Sequence, residues 1–141
     1  MNQSHRLAQL LVSCWRLSGD ASRIPTSHGI LDRALKATAE KKAFPAWALD
    51  SLNFVDSRIG LQCVELPEVL DWAQRSQLTT APNPSYETTE VQISPRAAQH
   101  LLSNIGISAD AAKAIGTVLR AEVEKAAGDL ALFEHARIED Y

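Results

Sequence analysis

The stretch SADAAKAIGTVLRAEVEKAAGDLALF, residues 108–133, decides the fold class. Ala112, Ile115, Leu119, Val123, Ala126, Leu130 and Phe133 recur in it at spacings of three or four, the repeat of one helix face. Ser108 stands before the run as a side-chain cap, and Asp110 adds negative charge where the helix dipole is positive. A helix continuing to Ile138 would be about 46 Å long at 1.5 Å per residue. Gly116 and Gly128 each weaken it by roughly 1 kcal/mol relative to alanine, so a break near Gly128 is expected as one outcome.

Upstream, Ser94 followed by Pro95 is a strong helix start: a cap, then a residue with no amide hydrogen to satisfy. Ala98, Leu101, Leu102 and Ile105 carry that helix to Gly106. Residues 79–85 hold Pro82, Pro84 and no large apolar side chain, the composition of an extended linker. Residues 86–93 then alternate as a short strand, with Thr89, Val91 and Ile93 on one side. Pro67 opens a helix to about Gln77 on the stripe Leu66, Val69, Leu70 and Ala73. Residues 61–64, just after Gly60, have β-propensity and allow a second strand, a partner for the first or a separate edge.

Nearer the start, Pro45 opens a short helix with Trp47, Leu49 and Leu52. Ile30, Leu31, Ala34 and Leu35 mark another, after a Ser/Gly/Pro-containing connection over residues 18–29. Leu7, Leu10, Leu11, Cys14 and Trp15 mark the first, read as an amphipathic helix stopping near Gly19. The chain therefore reads as mainly α, with five or six helices and room for a minor two-stranded β ribbon. It divides into an N-terminal helical lobe (1–78), a Pro-containing linker with a short strand (79–93) and a C-terminal helix pair (94–141). The two helical parts could also pack as a single domain.

Length and composition bound the function. At 141 residues and 15.4 kDa, with 45% apolar and 22% charged side chains, the chain suits one compact domain or two very small ones. Cys14 and Cys63 are too few for a disulfide scaffold and too far apart for a zinc motif, which favours a reducing cytoplasm. The longest aliphatic run near the start, Leu10-Leu11-Val12, cannot span a bilayer. Net charge is −3, but residues 1–44 carry seven basic and three acidic side chains, and the remainder seven and fourteen. The +4 segment offers a site for a charged partner or simply attracts the −7 remainder.

No motif for nucleotide phosphate or acyl transfer is present, and no cofactor or metal site is expected. His135 and Glu139 are the one helical pair of metal-ligand type. Cys63 is the best nucleophile candidate, but without a neighbouring histidine it reads as a small buried hydrophobe. Glu65, Glu68 and Asp71 share a helix face, where solvated carboxylates are commoner than catalytic ones. Trp15, Trp47 and Trp72 read as core.

Two C-terminal patterns point to function. The stripe of Leu119, Val123, Ala126, Leu130 and Phe133 repeats like a coiled-coil seam and suits a protein partner or a homo-oligomer, with burial in the chain's own core as the plainer reading. The expected function is a non-enzymatic intracellular adaptor, regulator or chaperone-like protein working through helix-mediated association. The turn at Gly106 between two helices resembles a helix-turn-helix element, so a DNA-binding regulator is the alternative. Its nucleic-acid contacts would be Arg33, Lys36, Lys41, Lys42 and Lys113. An enzyme of unrecognised type, its site assembled from distant residues, is a further alternative.

Overall fold

The computed structural model describes residues 2–27, 29–81 and 87–139, with side chains described as far as residue 130. Among these residues the order is α1 (Gln3–Leu17), β1 (Arg23–Pro25), α2 (Ile30–Glu40), α3 (Ala46–Ser51), β2 (Phe54–Ser57), β3 (Gly60–Cys63), α4 (Leu66–Arg75), β4 (Thr88–Glu90), α5 (Pro95–Asn104) and α6 (Ala109–Glu139). The protein is mainly α, and its β content is two small antiparallel ribbons rather than one.

Local chemistry sets the helix boundaries. The Asn2 side chain accepts from the His5 N–H at 2.8 Å, and Ser94 and Ser108 accept from Ala97 and Ala111 at 3.1 Å. Each satisfies one of the donors that a helix start leaves open. Pro67 and Pro95 occupy first-turn positions of α4 and α5. Gly106, at φ 75°, makes the turn into α6. Gly128 does not break α6, because tertiary packing of the preceding turns holds the helix that propensity alone would weaken.

α1 is the centre of the molecule. Every residue from Leu7 to Trp15 is buried, and α4, α5 and α6 pack around it. The expected amphipathic helix is thus corrected to one enclosed on all sides, polar Gln9 and Ser13 included. Burying each large apolar side chain here contributes about 1.5–3 kcal/mol. The Gln9 Oε1 and Ser13 Oγ atoms meet no protein hydrogen-bond partner, which offsets part of that gain.

α6 crosses α1 at Gly116, and Arg120 one turn later closes the α1 C-terminus. Its guanidinium donates to the carbonyls of Trp15 (2.6 Å) and Ala21 (2.8 Å) and to Ser18 Oγ (2.8 Å). It also lies 4.3 Å above the Trp15 ring. Helix ends leave four carbonyls unsatisfied, and here a side chain a hundred residues away takes one of them.

Both ribbons differ from the expected pairing. β4 pairs with β1, in the register Arg23↔Glu90, Ile24↔Thr89, Pro25↔Thr88, and β3 pairs with β2. Residues 79–80, read as the start of a linker, are packed structure: Thr79 bridges to Val91, and the Thr80 N–H donates to the Glu90 carbonyl at 2.8 Å. The proline-bearing residues 82–86 of that linker lie outside the described residues. Arg16 joins α1 to the ribbon by donating to the carbonyls of Ile93 (2.8 Å) and Val91 (3.1 Å). One cluster of buried side chains draws on α1, α2, α4, α5 and α6, so the described residues on either side of the expected linker contribute to one core.

Candidate functional site

The residues singled out in the sequence are mostly engaged within the chain. Leu119, Val123 and Ala126 are buried in its own core, and Leu130 is half-buried against it. Three of the five proposed partner contacts are therefore already covered. Phe133, His135 and Glu139 lie on α6 beyond the described side chains. The α6 backbone nonetheless stays helical to Glu139, well past Ala126.

The basic set does not assemble into a cationic face. Arg33 meets Asp129 at 3.6 Å, Lys36 meets Glu40 at 3.9 Å, and Lys41 bonds the buried carboxylate of Glu122. A cleft of about 240 Å³ between α2 and α6 is lined by Arg33, Lys36 and Lys125, but equally by Glu40, Glu122 and Asp129. A phosphate entering it would meet as many carboxylates as cations. Lys42, exposed just past α2, adopts φ 57°, and Lys113 is exposed on α6. The Gly106 turn joins α5, which packs chiefly on α1, to α6, which packs on both α2 and α1, and the supposed recognition helix buries Ala112, Ile115 and Leu119.

The thiols are held unreactive. Cys14 and Cys63 are both free and buried, and desolvation pushes their pKa values up to about 12 and about 11. For Cys63 the nearby Glu65 and Asp32 carboxylates add to that rise. A catalytic thiolate needs the opposite environment. Of the acidic trio, Glu65 accepts from the Asn53 N–H (2.6 Å) and side-chain amide (3.0 Å), and Asp71 pairs with Arg75 at 2.8 Å. Among the described residues no three His, Cys, Asp or Glu side chains group closely enough to hold a metal ion, and no helix is long and apolar enough to cross a membrane.

The tryptophans divide by role. Trp15 is core, its Nε1–H donating to the Ala21 carbonyl at 3.2 Å. Trp47 and Trp72 are half-buried instead, each beneath a guanidinium: Arg6 at 3.9 Å and Arg75 at 4.5 Å. His5 stacks on Trp72 with centroids 4.6 Å apart. These side chains close the end of the bundle around the α1 N-terminus.

The feature that sequence reasoning read only in part is the β2–β3 hairpin: the strand after Gly60 is expected, but β2 and its pairing with β3 are not. The exposed large apolar side chains among the described residues are Val55 (47%) and Ile59 (84%) within the hairpin and Val64 (54%), the residue that follows β3. β3 lies against α2, where Asp32 accepts the Cys63 N–H at 2.7 Å, and β2 is the outer strand. One face of the hairpin walls a cleft of about 520 Å³, with Val55, Gln62 and Val64 on one side and Leu66, Pro67 and Leu70 of α4 on the other. At Thr26, Pro67 and Leu70 this cleft meets a second of about 230 Å³, floored by α4 and walled by the hydroxyl-bearing Thr79, Thr80 and Thr89. Together they form a groove along α4 between the two ribbons. No sequence periodicity signals it, because its lining is drawn from separate segments spread between Thr26 and Thr89. Comparison with known proteins finds no matching family model, no matching curated protein and no matching solved structure.

Proposed function

We propose that this protein is a non-enzymatic association module, an adaptor or regulator that holds a protein partner at the β2–β3 hairpin and the groove beside α4. The observation that carries the reading is the gathering of Val55, Ile59 and Val64 at one hairpin. Exposed apolar groups concentrated beside a groove mark interaction surfaces, whereas singly scattered ones do not. The backbone of α6 continues helical past Ala126, its last buried residue, to Glu139, which supports a secondary contact along that helix. The protonated, buried thiols favour this reading over thiol catalysis, and the pairing of Arg33, Lys36 and Lys41 with carboxylates favours a protein partner over DNA. Two unpaired cysteines suit a cytoplasmic setting.

Photo-crosslinking residues placed at Val55, Ile59 and Lys113 test it in the native cell, with and without nuclease. Protein adducts from positions 55 and 59 that survive nuclease, with none from 113, are the expected result. Adducts only at 113, or adducts that nuclease removes, would overturn the reading and favour the DNA-binding alternative.

A further inference from the structure

The hairpin has one closed edge and one open edge, and the register identifies the groups involved. The Val64 N–H donates to the Asn53 carbonyl at 2.8 Å, in line with the pairs Val55↔Gln62 and Ser57↔Gly60. In an antiparallel ladder the bonded pairs alternate with unbonded ones. Asn53, Val55 and Ser57 therefore turn their backbone groups toward β3, and Phe54 and Asp56 turn theirs outward. On the β3 side the corresponding outward group, the Cys63 N–H, is occupied by Asp32. Among the described residues nothing bonds the outward N–H groups of Phe54 and Asp56.

Side-chain alternation places Val55, Gln62 and Val64 on one face of the hairpin, and all three line the cleft. A strand added beside β2 would extend this apolar wall with every second side chain. Charge then selects among extended partners. Residues 50–71 contain Asp50, Asp56, Glu65, Glu68 and Asp71 against Arg58 alone, net −4. Glu65 and Asp71 have partners within the chain, while Asp50, Asp56 and Glu68 are exposed without an ion pair among the described residues.

We infer that the β2 edge accepts an extended peptide as a third strand, with apolar side chains alternating toward the Val55–Val64 face and lysine or arginine at its flanks. This rests on the association reading above and names the partner's chemistry. Backbone pairing at Phe54 and Asp56 supplies the affinity, the groove reads alternate side chains, and the carboxylates reject acidic segments. Residues 1–44 of a second copy are basic but largely packed in the helical core, so a separate peptide suits the edge better than self-pairing.

The test uses the full chain and two synthetic decapeptides alternating valine and threonine, one flanked by lysines and one by glutamates. The lysine peptide should bind at least about tenfold tighter, and the preference should shrink as salt rises. Binding should slow amide exchange at Phe54 and Asp56 more than at Val55, whose N–H already faces β3. Asp56→Pro, which removes an outward N–H not used by the hairpin, should abolish binding while leaving the melting transition cooperative. In the variant with both Asp56→Lys and Glu68→Lys, which brings residues 50–71 to zero net charge, the preference for the lysine peptide should vanish. Equal binding of the two peptides, or binding without protection at Phe54 and Asp56, overturns the inference. So does protection there that rises with protein concentration in the absence of peptide, since it assigns the edge to a second copy. If neither peptide binds while position 55 still crosslinks to a protein, the strand-addition inference fails and the association reading stands.

Discussion

Gly116 lets the backbones of α6 and α1 touch: a Cβ at this position would overlap the Cys14 carbonyl oxygen and lie 2.5 Å from Ser18 Oγ. Backbone cannot step aside as a flexible side chain can, so Gly116→Ala must push the two helices apart. The expected cost is about 1–3 kcal/mol, despite alanine's better helix propensity. Gly128 meets nothing within 4 Å, and there the same substitution should stabilise by about 1 kcal/mol. Paired thermal melts check both signs, and two shifts in the same direction would contradict the packing assigned here.

Arg120 is expected to be irreplaceable by lysine. The planar fork reaches Trp15, Ser18 and Ala21 together while stacking on the Trp15 ring, and an ammonium can serve only part of that set. Arg120→Lys and Arg120→Met should each lower the urea midpoint by an amount equivalent to about 1–3 kcal/mol at unchanged m-value. Retention of wild-type stability in the lysine variant would mean that charge alone matters.

The buried thiols tie stability to alkaline pH. In the unfolded chain they ionise near 9.0, but in the fold only near about 11 for Cys63 and about 12 for Cys14. Below pH 9 both states keep the proton, and the contribution is fully present. Above it the unfolded state loses protons first, so stability falls as pH rises through 9 toward 11–12. Each thiol contributes a slope of up to about 1.4 kcal/mol per pH unit in that window. Comparing Cys63→Ala and Cys14→Ala with wild type from pH 7.5 to 10.5 isolates the effect from lysine titration: the alanine variants should show the shallower loss. At pH 8 both thiols should react with a disulfide reagent only as fast as the protein opens.

Ser13 is fully buried on α1, and its hydroxyl meets no protein partner. Ser13→Ala should therefore be neutral or stabilising by about 1 kcal/mol, unlike most core substitutions. A melting temperature several degrees lower than wild type would count against this description of the α1 surroundings.

Much of the helical frame was readable because its signals are local. Ser94 with Pro95, Pro67, and the stripe from Ala112 to Ala126 each act within a few residues of the feature they specify. The ribbons were not readable in the same way. β1 is three residues long and exists by pairing Arg23 with Glu90, a partner sixty-seven residues away that no local pattern announces. α1 misled for a related reason. Its stripe of Leu7, Leu10, Leu11, Cys14 and Trp15 reads as one apolar face, and only the arrival of three later helices encloses Gln9 and Ser13 as well. The candidate site was the least legible part. Val55, Ile59 and Val64 look like ordinary strand residues, and their exposure depends on which hairpin face meets α2 and α4. The same stripe that suggested a partner surface proved, through Leu119, Val123 and Ala126, to be the wall against which α1 and α2 pack.

The closure of α1 by Arg120 also constrains the order of events on the ribosome. The first helix emerges earliest, yet the guanidinium that completes its end is made 105 residues later. At ~5–20 residues per second, that interval is roughly 5 to 20 s. Throughout it, α1, buried from Leu7 to Trp15 in the finished fold, has emerged while α6 is still unfinished. Nascent chains of this protein should accordingly be heavy clients of ribosome-associated chaperones until α6 clears the tunnel.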